Sequence, residues 1–390
     1  MLARGLKQMG KTKSYEEINE KIRTRQAVVV TAEEVSRMAL ELSPQEILQK
    51  VDVVTTATFG PMCSSGAFIN FGHYDPPIRM EEISLNDVPV YAGLAAVDAY
   101  IGATSESKYD ETYGGAHVIE ELIDGKNVFL SARAKGTDCY PTKEVETSIS
   151  KDTVNEFFLF NPRNAYQNYA VASNSLGHTI YTYMGTLLPR LGNATYSTSG
   201  ELSPLLNDPD FRTVGIGTRI FFGGTQGFVS WYGTQFNTSK EKNASGVPVS
   251  NAGTISVIGD GKQMSSRYIK AAYMERYGVT LFVGIGIPIP VLDEDLARAV
   301  SIRNEQIEAT VQDYGIPEKP SLGLVNYAML RSGSIEIGGK KVRSAPISSL
   351  HRAREIAAEL KRWIDEGSFE ISKPVEMFPK HTSTKGLKRR

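Results

Sequence analysis

Val51-Asp52-Val53-Val54-Thr55-Thr56-Ala57-Thr58-Phe59-Gly60-Pro61-Met62-Cys63-Ser64-Ser65-Gly66 is the stretch on which the fold turns. Its apolar opening, Val51 to Val54, reads as a buried strand. The strand runs on into small hydroxylated residues and a Gly-Pro turn before it reaches Cys63. Strand ends carrying Gly, Ser, Thr and Cys are where backbone amides can be turned toward a ligand.

Upstream, three helix starts are written in capping residues. Ser14 precedes Tyr-Glu-Glu17, Thr31 precedes Ala-Glu-Glu34, and Ser43-Pro44-Gln-Glu46 is a capping box with proline at the first helical position. Ala27 to Val30 is a short strand between the first two. The order helix, strand, helix, helix, strand predicts an α/β arrangement with Val51–Thr56 as an interior strand.

Downstream, residues 59–150 are loop-rich, and Asn127 to Ala132 is a strand leading to a second cysteine, Cys139. Thr147–Phe160 reads as one strand. The polar, aromatic run Asn161 to Tyr169 suits either the holding of a small polar metabolite or a helix cap with an amphipathic turn. Gly215 to Gly227 has G-x-G matches that do not open a helix, so a Rossmann reading fails. A packed Gly-rich strand pair is expected there, with a loop approaching an anion as the sharper option. Val279 to Ile289, with its alternating Gly and Pro, is extended or an edge strand. Asp293 is expected to start a long amphipathic helix through about Asp313. Ser334 to Val342 is a hairpin with a Gly-Gly turn, and Ser349 caps a last helix through Trp363. The fold class is α/β (mixed α+β): a compact multi-layer body with Gly-rich strand-loop edges and a small C-terminal hairpin–helix unit.

The bulk numbers exclude several classes. In 390 residues, 43 basic and 44 acidic side chains leave no field to draw nucleic acid or anionic membrane. Lys385 to Arg390 is basic, within a tail (379–390) expected to be disordered. No run approaches the roughly 20 apolar residues of a membrane helix. Met1 to Lys7 lacks the apolar core of a signal peptide. With two cysteines and no Cys-x-x-Cys pair, a cytoplasmic location is expected. The five histidines form no i, i+4 pair, so no metal site is predicted. Gly-x-Ser-x-Gly, Walker and kinase signatures are missing.

What remains is thiol chemistry. Cys139 lies in Gly136-Thr137-Asp138-Cys139-Tyr140-Pro141, with Arg133 and Lys135 just upstream. A thiol beside cations has its pKa lowered and becomes the attacking thiolate. A free cysteine in a half-buried loop is the plain alternative. Both thiols sit at strand-to-loop edges, and at least one is expected to be functional. His73, in a Pro-rich loop, is either a general acid or base or a loop histidine bonded to a nearby carbonyl. Disulfide exchange, thiol acyl transfer and sulfur transfer all remain open on these grounds.

Three motifs in order, Asp52 to Gly66, Gly136 to Pro141 and Gly217-Thr-Arg219-Ile-Phe-Phe-Gly-Gly-Thr-Gln226-Gly227, resemble the homocysteine biosynthesis proteins, the L-aspartate semialdehyde sulfurtransferases. The resemblance runs from about residue 15 to about 378 and implies one domain over 1–378. Many such proteins carry a C-terminal pair of CBS domains, and none is expected here. The implied reaction replaces the aldehyde oxygen of L-aspartate 4-semialdehyde with sulfur, giving homocysteine. Sulfide addition and loss of water give a thioaldehyde, which two electrons convert to the thiol.

By motif, Cys139 is expected to carry a persulfide, its thiolate favoured by Arg133 or Lys135, with Cys63 as second thiol. Arg219 is the first choice and Arg163 the second for gripping the α-carboxylate, with Gln226 also on the substrate side. Asp138 and His73 are proton-transfer candidates. No cofactor is expected on the chain; the resemblance implies a ferredoxin-like iron–sulfur protein as electron donor, and sulfide or a persulfide as sulfur donor. Self-assembly into a homo-oligomer is left open. The rival expectation is a non-catalytic sulfur-carrier or scaffold subunit that docks a redox partner.

Overall fold

A computed structural model describes residues 12–387; Met1 to Lys7 and Lys388 to Arg390, to which the signal-peptide and basic-tail readings apply, fall wholly or partly outside that range. The opening follows its capping residues. Helices Tyr15–Arg23, Ala32–Met38 and Pro44–Lys50 each start at a capping box, with Ser14, Thr31 and Ser43 as N-caps. Between the first two, Val29–Thr31 pairs in parallel with Val53–Pro61. The buried carboxylate of Asp52 fixes this corner, accepting from Lys13 (2.9 Å), Lys21 (2.7 Å) and the Val28 amide (3.0 Å).

Val53–Pro61 belongs to a ten-stranded sheet. Its hydrogen-bonded order is Val29–Thr31, Val53–Pro61, Gly278–Pro290, Arg219–Phe222, Thr225–Tyr232, Ile255–Asp260, Glu156–Asn164, Gly66–Asn70 and Asp98–Gly102, with Ile269–Met274 also on Gly278–Pro290. Val53–Pro61 and Gly66–Asn70 are thus six strand spacings apart, about 29 Å in a flat sheet. The turn 62–65 that joins them spans at most about 19 Å. The sheet must therefore curl, and the curl puts Cys63 at the point where its two limbs meet.

Both faces of the central strands are covered, so Val53–Pro61 is buried up to its last residue. The helix Leu350–Asp365 lies across Val53–Pro61 and Gly278–Pro290, burying Ala353, Ile356, Ala357, Leu360 and Ile364. Gly284 and Gly286 make that approach feasible: a Cβ at Gly284 would meet Ile356 Cδ1 at 2.7 Å, and one at Gly286 would meet Ile356 Cγ2 at 3.0 Å. The helix Gly115–Ile123 packs against Ile269–Met274 and Gly278–Pro290.

Three smaller sheets complete the body: a six-stranded one, a four-stranded one carrying Cys139, and the ribbon Ile180–Thr182/Gly185–Leu187. The mixed α/β class and the Gly-rich strand pair stand, Arg219–Phe222 and Thr225–Tyr232 joining at Gly223-Gly224 with positive φ.

Several expectations are corrected. Gly278–Pro290 is an interior strand, not an edge. The stretch read as Thr147–Phe160 is two strands, Glu144–Ile149 and Glu156–Asn164. The long helix from Asp293 is only Glu294–Ala299, and Glu308–Asp313 is a strand of the six-stranded sheet. From Ile307 to Asp313 every second residue is buried, the period of a strand. The Ser334–Ile337/Lys340–Pro346 hairpin and the final helix are both present, each on a different sheet. At the C-terminal end, Thr382 exchanges hydrogen bonds with Thr238. Among the described residues no helix is long and apolar enough to cross a membrane.

Candidate active site

The turn after Val53–Pro61 is held from three sides. The Met62 amide donates to Leu281 O at 2.7 Å, Ser65 Oγ donates to Met62 O at 2.7 Å, and buried Asn161 donates from Nδ2 to Ser65 Oγ at 2.7 Å. Cys63, at the apex, is a free and exposed thiol. It opens into a pocket lined by Ser64, Tyr166, Tyr169, Tyr183, Met184, Met274, Tyr277 and Thr280. These come from separate segments: the loop after Glu156–Asn164, the tip of the 180–187 ribbon, and the turn between Ile269–Met274 and Gly278–Pro290.

The pocket's polarity is phenolic. Tyr277 hydrogen-bonds Cys63, and burial, then the sulfur's charge, pushes its phenol up to about 12. Burial likewise pushes Tyr166 up to about 12, although the Arg163 charge pulls the other way. Tyr169 and Tyr314 are raised, burial being the main cause. Tyr183 departs from this pattern. Burial would raise its pKa, but hydrogen bonds from Tyr169, Tyr314 and Lys319, with the Lys319 charge, bring it below the ordinary tyrosine value. Thr280 Oγ1 is buried in the lining without a hydrogen-bond partner.

Arg163 lies two residues beyond Asn161, next to the turn and outside the pocket lining. Its amide donates to Asn161 Oδ1 at 2.8 Å, and the same Oδ1 accepts from Ser64 Oγ at 3.3 Å. The guanidinium reaches Gln235, while its Nε is buried without a partner. Arg219 stands elsewhere. Phe221 pairs with Gly286 and Gly286 with Ala57, so Arg219 is level with Thr55, roughly 26 Å along the strand from Cys63. Its guanidinium donates to Glu370 O at 3.1 Å. Gln226 is exposed on the same hairpin, opposite Phe221.

Cys139 is a free, exposed thiol in the turn between Val128–Arg133 and Glu144–Ile149. Thr137 N donates to Tyr140 O at 2.8 Å to close that turn, and Asp138 is exposed within it. The two cations expected to favour its thiolate each face a carboxylate: Arg133 Nε is 3.0 Å from Glu144 and Lys135 Nζ is 3.7 Å from Glu81. Thr142 Oγ1 donates to Pro76 O at 2.7 Å, which sets the hairpin against the segment carrying exposed His73. That segment follows Asn70 whereas Cys63 precedes Gly66, so the Gly66–Asn70 strand separates the two thiols' neighbourhoods. Tyr277, Thr280, Tyr314 and Lys319 were not singled out from sequence, because no local pattern joins them to Cys63.

An exposed thiol that opens into a phenol-lined pocket is a candidate site for thiol chemistry. Comparison with known proteins sharpens this. Residues 27–371 match the family of homocysteine biosynthesis enzymes of sulfur incorporation, and the chain belongs to that family. It is 49% identical over 379 residues to the L-aspartate semialdehyde sulfurtransferase of Methanosarcina acetivorans, covering 96% of this chain and 74% of that protein. It is 50% identical over 382 residues to the protein of the same name from Methanocaldococcus jannaschii, covering 93% and 73%. An uncharacterized protein of Methanothermobacter thermautotrophicus is 27% identical over 307 residues. No solved structure matches the chain.

Proposed function

We propose that this enzyme is an L-aspartate semialdehyde sulfurtransferase that forms homocysteine, with Cys63 as the thiol whose sulfur meets the aldehyde. The observation that carries this is the placement of Cys63 alone, of the two thiols, inside a pocket with donors for a carbonyl oxygen. Relatives about half identical across most of the chain bear the sulfurtransferase name. Arg163, whose neighbours Asn161 and Ser64 hold the Cys63 turn and whose charge acts on Tyr166, is the candidate to hold the α-carboxylate. Cys139, at an exposed tip, is suited to take sulfur from a donor in solution, and His73 and Asp138 lie on its side of the molecule.

The chemistry sets what else is needed. Sulfide adds to the aldehyde, water leaves, and two electrons with two protons give the thiol. If the sulfur arrives as a persulfide, two more electrons reduce it. The chain's two thiols cannot supply these over repeated turnovers, so an external donor is part of the proposal, an iron–sulfur protein being suited to it.

The test is intact mass of the protein, handled without oxygen and exposed to a sulfur donor, for wild type, Cys63→Ala and Cys139→Ala. A sulfur adduct that disappears in Cys63→Ala supports Cys63 as the carrier that faces substrate. An adduct that disappears only in Cys139→Ala assigns the carrier to Cys139 and overturns that role for Cys63.

A further inference from the structure

Behind the Cys63 pocket, one phenol oxygen is surrounded by donors. Tyr183 OH lies 3.1 Å from Tyr314 OH and 3.1 Å from Lys319 Nζ, and Tyr169 also hydrogen-bonds it. The ammonium is held by aromatic groups: Nζ sits 4.2 Å over the Tyr314 ring and 5.3 Å over the Tyr183 ring. Lys319 adopts a left-handed backbone, φ 46°, immediately before Pro320. A non-glycine residue held there costs free energy that the surroundings must offset. Here the strained turn delivers a half-buried ammonium to a phenol that lines the pocket, with Tyr183 and Tyr277 rings 6.1 Å apart and Tyr277 bonded to Cys63.

We propose that Tyr183 is the catalytic acid of the Cys63 pocket and that Lys319 is the positioning residue that holds its phenolate after the proton has left. The inference rests on the sulfurtransferase reading above and deepens it. As the terminal sulfur borne by Cys63 bonds to the aldehyde carbon, the carbonyl electron pair moves to oxygen, and that oxygen takes the Tyr183 proton. One C–S bond and one O–H bond form, the C=O π bond and the phenol O–H bond break, and no electron is transferred. The proton of the attacking S–H group passes to the phenol network, which restores Tyr183. The lowered pKa of this one phenol among raised neighbours agrees with the geometry.

The titratable groups facing Tyr183 are Tyr166, Tyr169, Tyr277, Tyr314 and Lys319, with Cys63 beyond Tyr277. Ultraviolet titration of tyrosinate in the substrate-free protein therefore reads the site without turnover. We expect one tyrosine to ionise ahead of the rest, its signal lost in Tyr183→Phe. In Lys319→Met it should move up in pH by about one unit or more, and Lys319→Arg should restore it. Turnover of semialdehyde with a polysulfide as sulfur donor and a chemical reductant should fall roughly a hundredfold or more in kcat for Tyr183→Phe, with KM little changed. An unchanged titration in Lys319→Met, or wild-type kcat in Tyr183→Phe, overturns the proposal. The expected titration together with no homocysteine from the wild type upholds the tyrosine–lysine pair and overturns the sulfurtransferase reading instead.

Discussion

A guanidinium binds a substrate carboxylate only where its own donors are free and the reacting atom is near. Arg163 neighbours Asn161 and Ser64, which hold the Cys63 turn, and its Nε, like that of Arg219, is buried without a partner, so nearness to Cys63 is what separates the two. Arg163→Ala should lower kcat/KM for the semialdehyde about tenfold to a hundredfold, mostly through KM, the size of a lost charge-assisted bond. Arg219→Ala should leave KM alone and cost about 1 kcal/mol of stability, since its guanidinium serves Glu370 O. Steady-state kinetics and a denaturation curve on both variants separate the two roles. The sequence motif ranks Arg219 first and Arg163 second because it records neighbours along the chain. Sheet register, which sets Arg219 far from Cys63, is not written in any one segment.

Among elements, the final helix is the most exacting. Its apolar stripe, Ala353, Ile356, Ala357, Leu360 and Ile364, is legible from spacing alone. Its partner is not, because Gly284 and Gly286 matter for the volume they leave empty. Gly284→Ala brings a Cβ to 2.7 Å from Ile356 Cδ1 and 3.1 Å from Tyr268 O, and should cost about 1–3 kcal/mol. Ile356→Val removes that Cδ1, so the double variant should be less destabilised than the sum of the single ones, a coupling read from urea midpoints. Alternation from Ile307 to Asp313 is likewise present in the sequence, but the charged residues after Asp293 also fit a helical period. The strand wins because its buried residues close the second core with Tyr327 and Leu330.

For the whole molecule, Asp52 joins the N-terminal segment to the great sheet. Burial would raise its pKa, but the bonds from Lys21, the Val28 amide and Lys13 outweigh burial and hold it below the usual carboxylate value. A depressed folded pKa means stability that is present above the unfolded value, about 4, and is lost as pH falls toward the folded one. Asp52→Ala should therefore cost roughly 3 kcal/mol at neutral pH by removing the acceptor shared by Lys13, Lys21 and the Val28 amide, and its stability should respond less to acid below about pH 4 than that of the wild type. Thermal melts across that range check both. The α/β class, the capped opening and the thiol at the strand end were all legible in the sequence, since each is local. The pocket was not, because Tyr183 and Tyr277 come to Cys63 from turns of other strand pairs distant in sequence, and Lys319 joins them only through Tyr183.

The order of these parts along the chain also sets when the site can exist. Cys63 leaves the ribosome early, whereas Tyr277 and Lys319 follow more than two hundred residues later. Contacts of such long sequence separation form late in folding. The nascent chain therefore carries a thiol whose pocket stays incomplete until Tyr277 has emerged, and the site closes only when the last third of the polypeptide has folded against it.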